Sequence, residues 1–432
     1  MPLSGPGAAW ILAIALVALI GSRAAGQTPA KPAVAPPVQL VETIPVESGL
    51  GDPSLPQAAP VWVEMIDGAR QSLDLEHFYL SHWPSEPTGP VIDAIGRAAA
   101  RGVRVRLLLD VRFQSTYPEP ADSLGKLTGI ELRWIDMKKI SGGGIQHAKV
   151  MIVDGEQVFV GSQNLDWRAL KHIHEMGVRV RNQNIASLFE RVFEFDWKAS
   201  APGATPPPPG SAGPLPRATL ASFPLALVQG PGDTVRVWPS FCPRSQLPDS
   251  ALWDEDQIVR LLNGAKREVV VQVLTYGFGR GAERDSTLDL ALRRAAARGV
   301  HVRLLVSDWE ADSPRIAELQ RLTTVPNIEV RLSSVPEWSG GYVPFARVEH
   351  CKYMVVDSLR TWVGTSNWEP DYFRLSRNAA LTLENRRIAL QARGVFETGW
   401  KAAASRPLTA EATVARRPHG DTPPPGRKAY GK

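Results

Sequence analysis

Two cysteines, Cys242 and Cys351, are all that 432 residues carry. That scarcity excludes a disulfide-rich scaffold and a Cys-rich metal site, and leaves open whether the two pair. The body also lacks a charge excess. The formal net charge is +5, and from Lys401 onward seven basic residues face two acidic ones, which accounts for all of it. The rest is about neutral, so composition alone writes no basic groove for nucleic acid or anionic membrane. The apolar run Ala8–Ile20 falls short of the roughly 20 residues that a membrane-spanning helix needs. No Lys or Arg precedes it, a departure from the usual signal-peptide pattern, and no cysteine follows it closely, which argues against a lipoprotein anchor. With small residues at Gly21, Ala24, Ala25 and Gly26, residues 1–26 read as a secretory signal peptide. An uncleaved anchor is the alternative. Either places the body in a periplasmic, secreted or lumenal setting.

What is present is an ordinary globular composition, 44% hydrophobic and 22% charged, enough for a sizeable core. Residues 27–42 read as a Pro/Ala-rich tether. Ala201–Arg217 (APGATPPPPGSAGPLPR) is a Pro-rich linker. Residues 404–432 form a basic, Pro-rich tail of disordered composition, and a membrane contact is conceivable there or at the N-terminal apolar segment. No obligate protein partner is evident.

Residues 43–200 and 218–403 repeat each other. Gly68-Ala69-Arg70 leads into LDLEHFYL, and Gly264-Ala265-Lys266 leads into VVVQVLTY, at an offset of 196. Ala98-Ala99-Ala100-Arg101-Gly102-Val103 returns as Ala295-Ala296-Ala297-Arg298-Gly299-Val300. HAKVMIVD at 147–154, GSQN at 161–164 and VFEFDWKA at 192–199 return as HCKYMVVD, GTSN and VFETGWKA, all at an offset of 203. A tandem duplication follows. Each copy alternates helix and strand: helices near 58–69, 88–101 and 184–197, strands near 72–80, 103–109, 130–135, 146–153, 157–160 and 175–181. Their counterparts lie in the second copy. This pattern predicts an α/β fold in which helices flank a mixed sheet in each copy.

Side chains alternate along a strand, so His147 shares a face with Lys149, while Ala148, Val150 and Ile152 point into packing. His350 and Lys352 repeat this, with Cys351 behind as a small packed side chain. One such pair is weak evidence for chemistry; two at equivalent positions are not. If the copies pack about a pseudo-twofold axis, the histidines converge in a cationic cleft suited to an anionic tetrahedral group. Lys149 and Lys352 hold the non-bridging oxygens of a phosphodiester, Asn164 and Asn367 add neutral donors, and Ser162 and Thr365 support them. One histidine attacks phosphorus to give a phosphohistidine, and the other passes protons. Such a reaction calls for no cofactor, and no metal site is legible. Asp154 and Asp357 sit just past each strand, where a turn carboxylate bonding local backbone is the plain reading.

His147-x-Lys149-x4-Asp154-x6-Gly161-Ser162-x-Asn164 resembles the HKD signature of the phospholipase D superfamily. His350-x-Lys352-x4-Asp357-x6-Gly364-Thr365-x-Asn367 resembles its second copy. The resemblance spans about 58–402. It implies a bilobal fold with the site at the pseudo-twofold interface, a phosphohistidine intermediate, no required metal, and Asp154 and Asp357 in the catalytic set. NLDWRAL at 164–170, PFARVEHCKYMVVD at 344–357 and GTSNWEPDYF at 364–373 resemble the eukaryotic and poxviral branch, which includes endolysosomal 5′-exonucleases. That resemblance favours a phosphodiesterase acting on single-stranded nucleic acid. Phospholipase D or transphosphatidylase activity on phospholipid is the alternative, and a silent phosphodiester-binding protein a second. Phe78, Tyr79, Trp167, Trp368, Tyr372 and Phe373 lie near the motifs as base-stacking, lipid-lining or core residues. Eleven residues past each motif asparagine stand Glu175 in the first copy and Asn378 in the second. Glu175 is expected to orient His147, leaving His350 without such a partner, and His147 is expected to be the nucleophile.

Overall fold

The repeated AAARGV phrase marks the end of a helix. Gly102 and Gly299 adopt φ +87 and +85, a left-handed backbone that glycine enters without strain. After helix Thr88–Ala100, the Gly102 and Val103 amides donate to the carbonyls of Ala99 and Ala98; after helix Thr287–Ala297, Gly299 and Val300 donate to Ala296 and Ala295. These are paired 5→2 and 6→1 caps that turn the chain straight into a strand. The preceding arginines, Arg101 and Arg298, each donate to carbonyls at the end of the neighbouring helix, Ile66 and Ala69 or Leu262 and Ala265. One short phrase thus ends a helix, aims a strand and ties two helices, twice.

The computed structural model describes residues 35–205, 208, 223–279, 284–312, 315–415 and 417–431. The expected signal peptide, the first half of the tether and most of the 201–217 linker lie outside the described residues. In the first copy the strands are β1 Val38–Thr43, β2 Ser72–His77, β3 Leu80–Ser81, β4 Arg104–Asp110, β5 Ile130–Ile135, β6 Val150–Val153, β7 Gln157–Gly161, β8 Leu165–Asp166 and β9 Glu175–Arg181. In the second they are β10 Leu225–Gly230, β11 Asp233–Cys242, β12 Glu268–Val273, β13 His301–Ser307, β14 Ile328–Ser333, β15 Tyr353–Val356, β16 Arg360–Gly364, β17 Asn378–Glu384 and β18 Arg406–Pro407.

Two mixed sheets result, ordered β1-β9-β7-β6-β2-β4-β5 and β10-β11-β17-β16-β15-β12-β13-β14-β18. The run β9-β7-β6-β2-β4-β5 is matched strand for strand by β17-β16-β15-β12-β13-β14. In the first sheet Met151, Val153 and Phe159 face helices Ala58–Asp67 and Thr88–Ala100. Val150, Ile152, Val158 and Val160 face the other way, with Phe189, Val192 and Phe193 of helix Gln183–Ala199. That second face belongs to one core running on through Phe241, Val363 and Phe396 of the second copy. The two sheets therefore back onto shared apolar packing, and the interface is where the motif loops meet.

The expected elements are present with ends shifted by a few residues, and five strands, β1, β8, β10, β11 and β18, stand beyond them. Val38–Glu42 had been assigned to the tether; they form most of β1, paired antiparallel with β9. The first folded copy thus begins at 38 instead of 43. β11 contains Pro239, a residue that argues against a strand, but Pro239 lies past the stretch of β11 that pairs with β10. The tail is also corrected. Arg406–Pro407 pairs with β14, the Phe345 amide donates to the His419 carbonyl (2.6 Å), and the Tyr430 hydroxyl donates to Glu86 (2.6 Å). His419 stacks on Trp309, and Tyr430 contacts Trp338. A few aromatic anchors seat a segment whose composition reads as disordered. Arg417 and Arg427 pair with Asp308 and Glu337, so part of the tail's basic charge is spent on the body. Cys242 and Cys351 are both free and buried. No helix among the described residues is long and apolar enough to cross a membrane.

Candidate active site

The motif histidines precede their strands. β6 begins at Val150 and β15 at Tyr353, whereas the whole stretches 146–153 and 348–356 were expected to be strand. The lead-in segments pair across the pseudo-twofold axis instead. The His147 amide donates to the Arg377 carbonyl (2.9 Å), and Arg377 donates back to Ile145 (2.9 Å). In the mirror arrangement, His350 donates to the His174 carbonyl (3.0 Å), and His174 donates back to Val348 (3.1 Å). Each motif is thus stitched to the residue just before the other copy's position eleven.

That stitching crosses the partners. His350 Nδ1 lies 2.8 and 2.9 Å from the two carboxylate oxygens of Glu175. His147 Nδ1 lies 3.1 Å from Asn378 Oδ1. The expectation that Glu175 orients His147 is therefore wrong, and so is the expectation that His350 lacks a partner. Counting along one chain could not reveal an exchange made between copies. The Asn378 amide is fixed in orientation, because its Nδ2 donates to the Tyr372 carbonyl (2.8 Å) while its Oδ1 accepts from the Thr365 hydroxyl (2.7 Å). Its oxygen must then face His147, so neutral His147 carries its proton on Nδ1 and keeps a lone pair on Nε2.

The two lysines lie beside the histidines as predicted. Lys149 and Lys352 are fully buried, and each ammonium donates to the carbonyl of its own motif histidine, at 2.7 and 2.6 Å. Burial, then the facing Lys352, holds Lys149 well below the usual ammonium value; burial lowers Lys352 to about 8, with Glu175 opposing. Burial and both ammonium groups hold each imidazole well below its ordinary value, and His350 also feels His147. Burial pushes Glu175 up, against the pull of Lys352 and the Ser162 hydroxyl. The groups of both motifs therefore act on one another in a single buried cluster.

Ser162 and Thr365 support rather than line it. The Ser162 hydroxyl exchanges hydrogen bonds with the Met176 main chain, and Thr365 holds Asn378. Asn164 and Asn367 are buried, each with its side-chain oxygen unpaired among the described residues. The Asn367 side chain also bonds the Tyr372 hydroxyl.

Asp154 and Asp357 do not join them. Both adopt left-handed backbone, φ 55 and 54. Asp154 accepts the amides of Arg70, Gln71 and Ser72, and Asp357 those of Lys266, Arg267 and Glu268. Their place in the catalytic set is corrected: they are turn carboxylates that clamp the start of β2 and β12, and the plain reading of them holds.

Among the aromatics, Trp368 and Phe373 are buried core residues. Phe78 and Tyr372 lie edge-on to the His147 ring, at 5.1 and 4.9 Å. Beyond Phe78 stand half-buried Phe113 and Tyr117, stacked with an interplanar angle of 2°. Neither Phe113 nor Tyr117 was singled out in the sequence, since both lie far from the motifs along the chain. The group of His, Cys and carboxylate side chains close enough to share a cation, among the described residues, is His174, Glu349 and Cys351. Both nitrogens of His174 are already engaged there by carboxylates, Glu42 and Glu349.

The family described as "Cardiolipin synthase, PLD-like domain" matches residues 62–197 and 258–400. Phospholipase D Z of Dictyostelium discoideum is 30% identical over 389 residues, covering 86% of this chain and 91% of its own length. The 5′-3′ exonuclease PLD4 of Mus musculus is 31% identical over 405 residues, covering 84% and 77%. The 5′-3′ exonuclease PLD3 of Xenopus laevis is 30% identical over 399 residues, covering 84% and 79%. The crystal structure of phosphatidylserine synthase from Haemophilus influenzae Rd KW20 superposes with a TM-score of 0.59 at 14% identity, over 88% of this chain and 89% of that one. At that identity the likeness is one of fold.

Proposed function

Since the chain belongs to the family of phospholipase D-like phosphodiesterases, we propose that it hydrolyses single-stranded nucleic acid from the 5′ end through a phosphohistidine on His147. The observation that carries the mechanism is the unequal pairing of the two histidines, an amide behind His147 and a carboxylate behind His350. In the free cleft, burial and the lysines favour neutral imidazoles. A bound phosphodiester anion cancels part of the lysine field, which makes protonation easier. His350 gains more from this, because Glu175 stabilises an imidazolium and Asn378 does not.

His147 Nε2 then donates its lone pair to phosphorus, and the bond from phosphorus to the leaving 5′-oxygen breaks. His350 Nε2 gives that oxygen its proton. In the second step His350 takes a proton from water, the resulting oxygen attacks phosphorus, and the P–N bond to His147 breaks. Lys149 and Lys352 carry the charge on the non-bridging oxygens, and Asn164 and Asn367 contribute amide donors. The 5′-exonuclease reading is supported by relatives so named, at 30–31% identity over more than four-fifths of this chain. The half-buried rings of Phe113 and Tyr117 beside Phe78 supply a surface on which an unpaired base can stack. Export fits the apolar run Ala8–Ile20.

A second reading, hydrolysis of phospholipid, has support in a relative named phospholipase D at similar identity. One assay separates them. The purified chain is given a 5′-hydroxyl single-stranded oligonucleotide in one arm and phospholipid vesicles with a small alcohol in the other, both with chelator. Stepwise loss of nucleotides from the 5′ end is expected. Headgroup release with an inert oligonucleotide overturns the nucleic-acid reading in favour of lipid.

A further inference from the structure

Behind each motif histidine lies a buried cation, and the two cations differ in kind. Arg377 stands before Asn378, and its guanidinium donates to Asp196 at 2.6 and 2.8 Å and to the Cys242 carbonyl at 2.6 Å. His174 stands before Glu175. Its Nδ1 lies 2.8 Å from Glu349 and its Nε2 2.8 Å from Glu42, and all three side chains are fully buried. A neutral imidazole can donate through only one nitrogen. Carboxylate oxygens on both nitrogens therefore call for a proton on each, an imidazolium. The carboxylates are themselves held: Glu42 accepts the Asp52 amide (2.9 Å) and Glu349 the Cys351 amide (3.3 Å). Burial works against the charge on His174, but Glu349 and Glu42 overcome it and raise the imidazole to about 10.

We propose that His174 is a positioning residue for the proton-donating histidine, its imidazolium locking Glu42, Glu349 and the 174–175 main chain into one cluster that sets where Glu175 meets His350. This rests on the reading of His350 as the general acid. The geometry runs in one short circuit. Glu349 precedes His350, the His174 carbonyl receives the His350 amide, and the next residue along, Glu175, holds the His350 ring. A neutral residue at 174 leaves two buried carboxylates without their cation and loosens the segment that carries Glu175. The defect then falls on proton delivery to the leaving group.

Two substrates read that defect apart from a general loss of structure. The thymidine dinucleotide with a free 5′-hydroxyl expels an alkoxide and needs the acid. Thymidine 3′-(p-nitrophenyl phosphate) expels a stable phenolate and scarcely needs it. In the first turnover, His174→Gln is expected to slow release of the leaving group about 100-fold from the dinucleotide and less than about 5-fold from the activated ester, because the later attack of water on the shared intermediate is left out of that comparison. His174→Gln/Glu349→Gln leaves one buried carboxylate without its cation, Glu42, instead of two, and so lessens the risk of a folding failure; the same split is expected. Should neither fold, Glu42→Gln, which keeps the Glu349 pair, carries the same comparison. An equal loss on both substrates, or full activity on the dinucleotide, overturns the proposal. A wild-type chain inert on both substrates fells the reading of the cleft itself, and this inference with it.

Discussion

At the start of β9 a carboxylate, Glu175, meets the histidine of the second motif; at the start of β17 an amide, Asn378, meets the histidine of the first. One residue earlier, His174 sits between two glutamates and Arg377 grips Asp196. The backbone hydrogen bonds around these four positions are the same in both halves to within 0.2 Å. Duplication has thus kept the frame and changed the charges placed on it. The frame brings the histidines together, and in the proposed mechanism the charges divide their labour. A site with two equal imidazoles has no physical reason to protonate one in preference to the other; here the carboxylate supplies it.

Breaking that asymmetry is expected to cost most. Glu175→Gln removes the charge behind His350 and keeps the shape, so turnover of an unactivated diester should fall about 100-fold. Asn378→Ala, which frees the His147 ring without removing a charge, should cost nearer 10-fold. Steady-state kinetics on one oligonucleotide checks both, and equal losses would erase the distinction between the halves.

The next contrast is in stability against pH. His174 holds its extra proton up to about 10 in the folded chain, against roughly 6.5 in an unfolded one. A pKa raised by folding adds stability that is complete below the unfolded value and is lost as pH rises through the folded one. Arg377 keeps its charge throughout that range. Melting temperature should therefore fall from about pH 6.5 to about pH 10 more steeply in the wild type than in His174→Gln/Glu349→Gln. Parallel curves would contradict the imidazolium.

Smaller effects should be symmetric. Asp154→Ala and Asp357→Ala each strip amide acceptors from a turn and should cost about 1–3 kcal/mol, with activity per folded molecule little changed. Denaturant midpoints and active-site titration check this. Gly102→Ala and Gly299→Ala place a Cβ in open space at positive φ, so each should lose only about 1 kcal/mol of backbone strain, equally in both halves.

Much of this was legible in the chain because a duplication prints its frame twice. Strands 130–135 and 175–181 stand where alternation puts them, and the repeated AAARGV phrase falls at the same helix-to-strand turn in both copies. The lysines and histidines of the two motifs lie close enough to act on one another. What was illegible is what crosses between copies. Nothing within residues 164–175 says that Glu175 serves position 350, because the link is a main-chain bridge between segments 175 residues apart. The cluster of Glu42, His174 and Glu349 joins three distant segments, and Glu42 was hidden in a stretch that Pro and Ala make look like a tether. One sign was available: each position-eleven residue follows a cation, His174 or Arg377, and each motif histidine follows a side chain able to pair with one, Glu349 or Gln146.

The division of labour can be tested at a single covalent bond. In His350→Ala, thymidine 3′-(p-nitrophenyl phosphate) should still release phenolate in one burst, since its leaving group needs no acid, while loss of the base for water stalls the second step. The trapped phosphoryl group, located by mass spectrometry of peptides, should lie on His147 Nε2. A phosphohistidine found at position 350 in the wild type or in His147→Ala, with none at 147, would contradict the account.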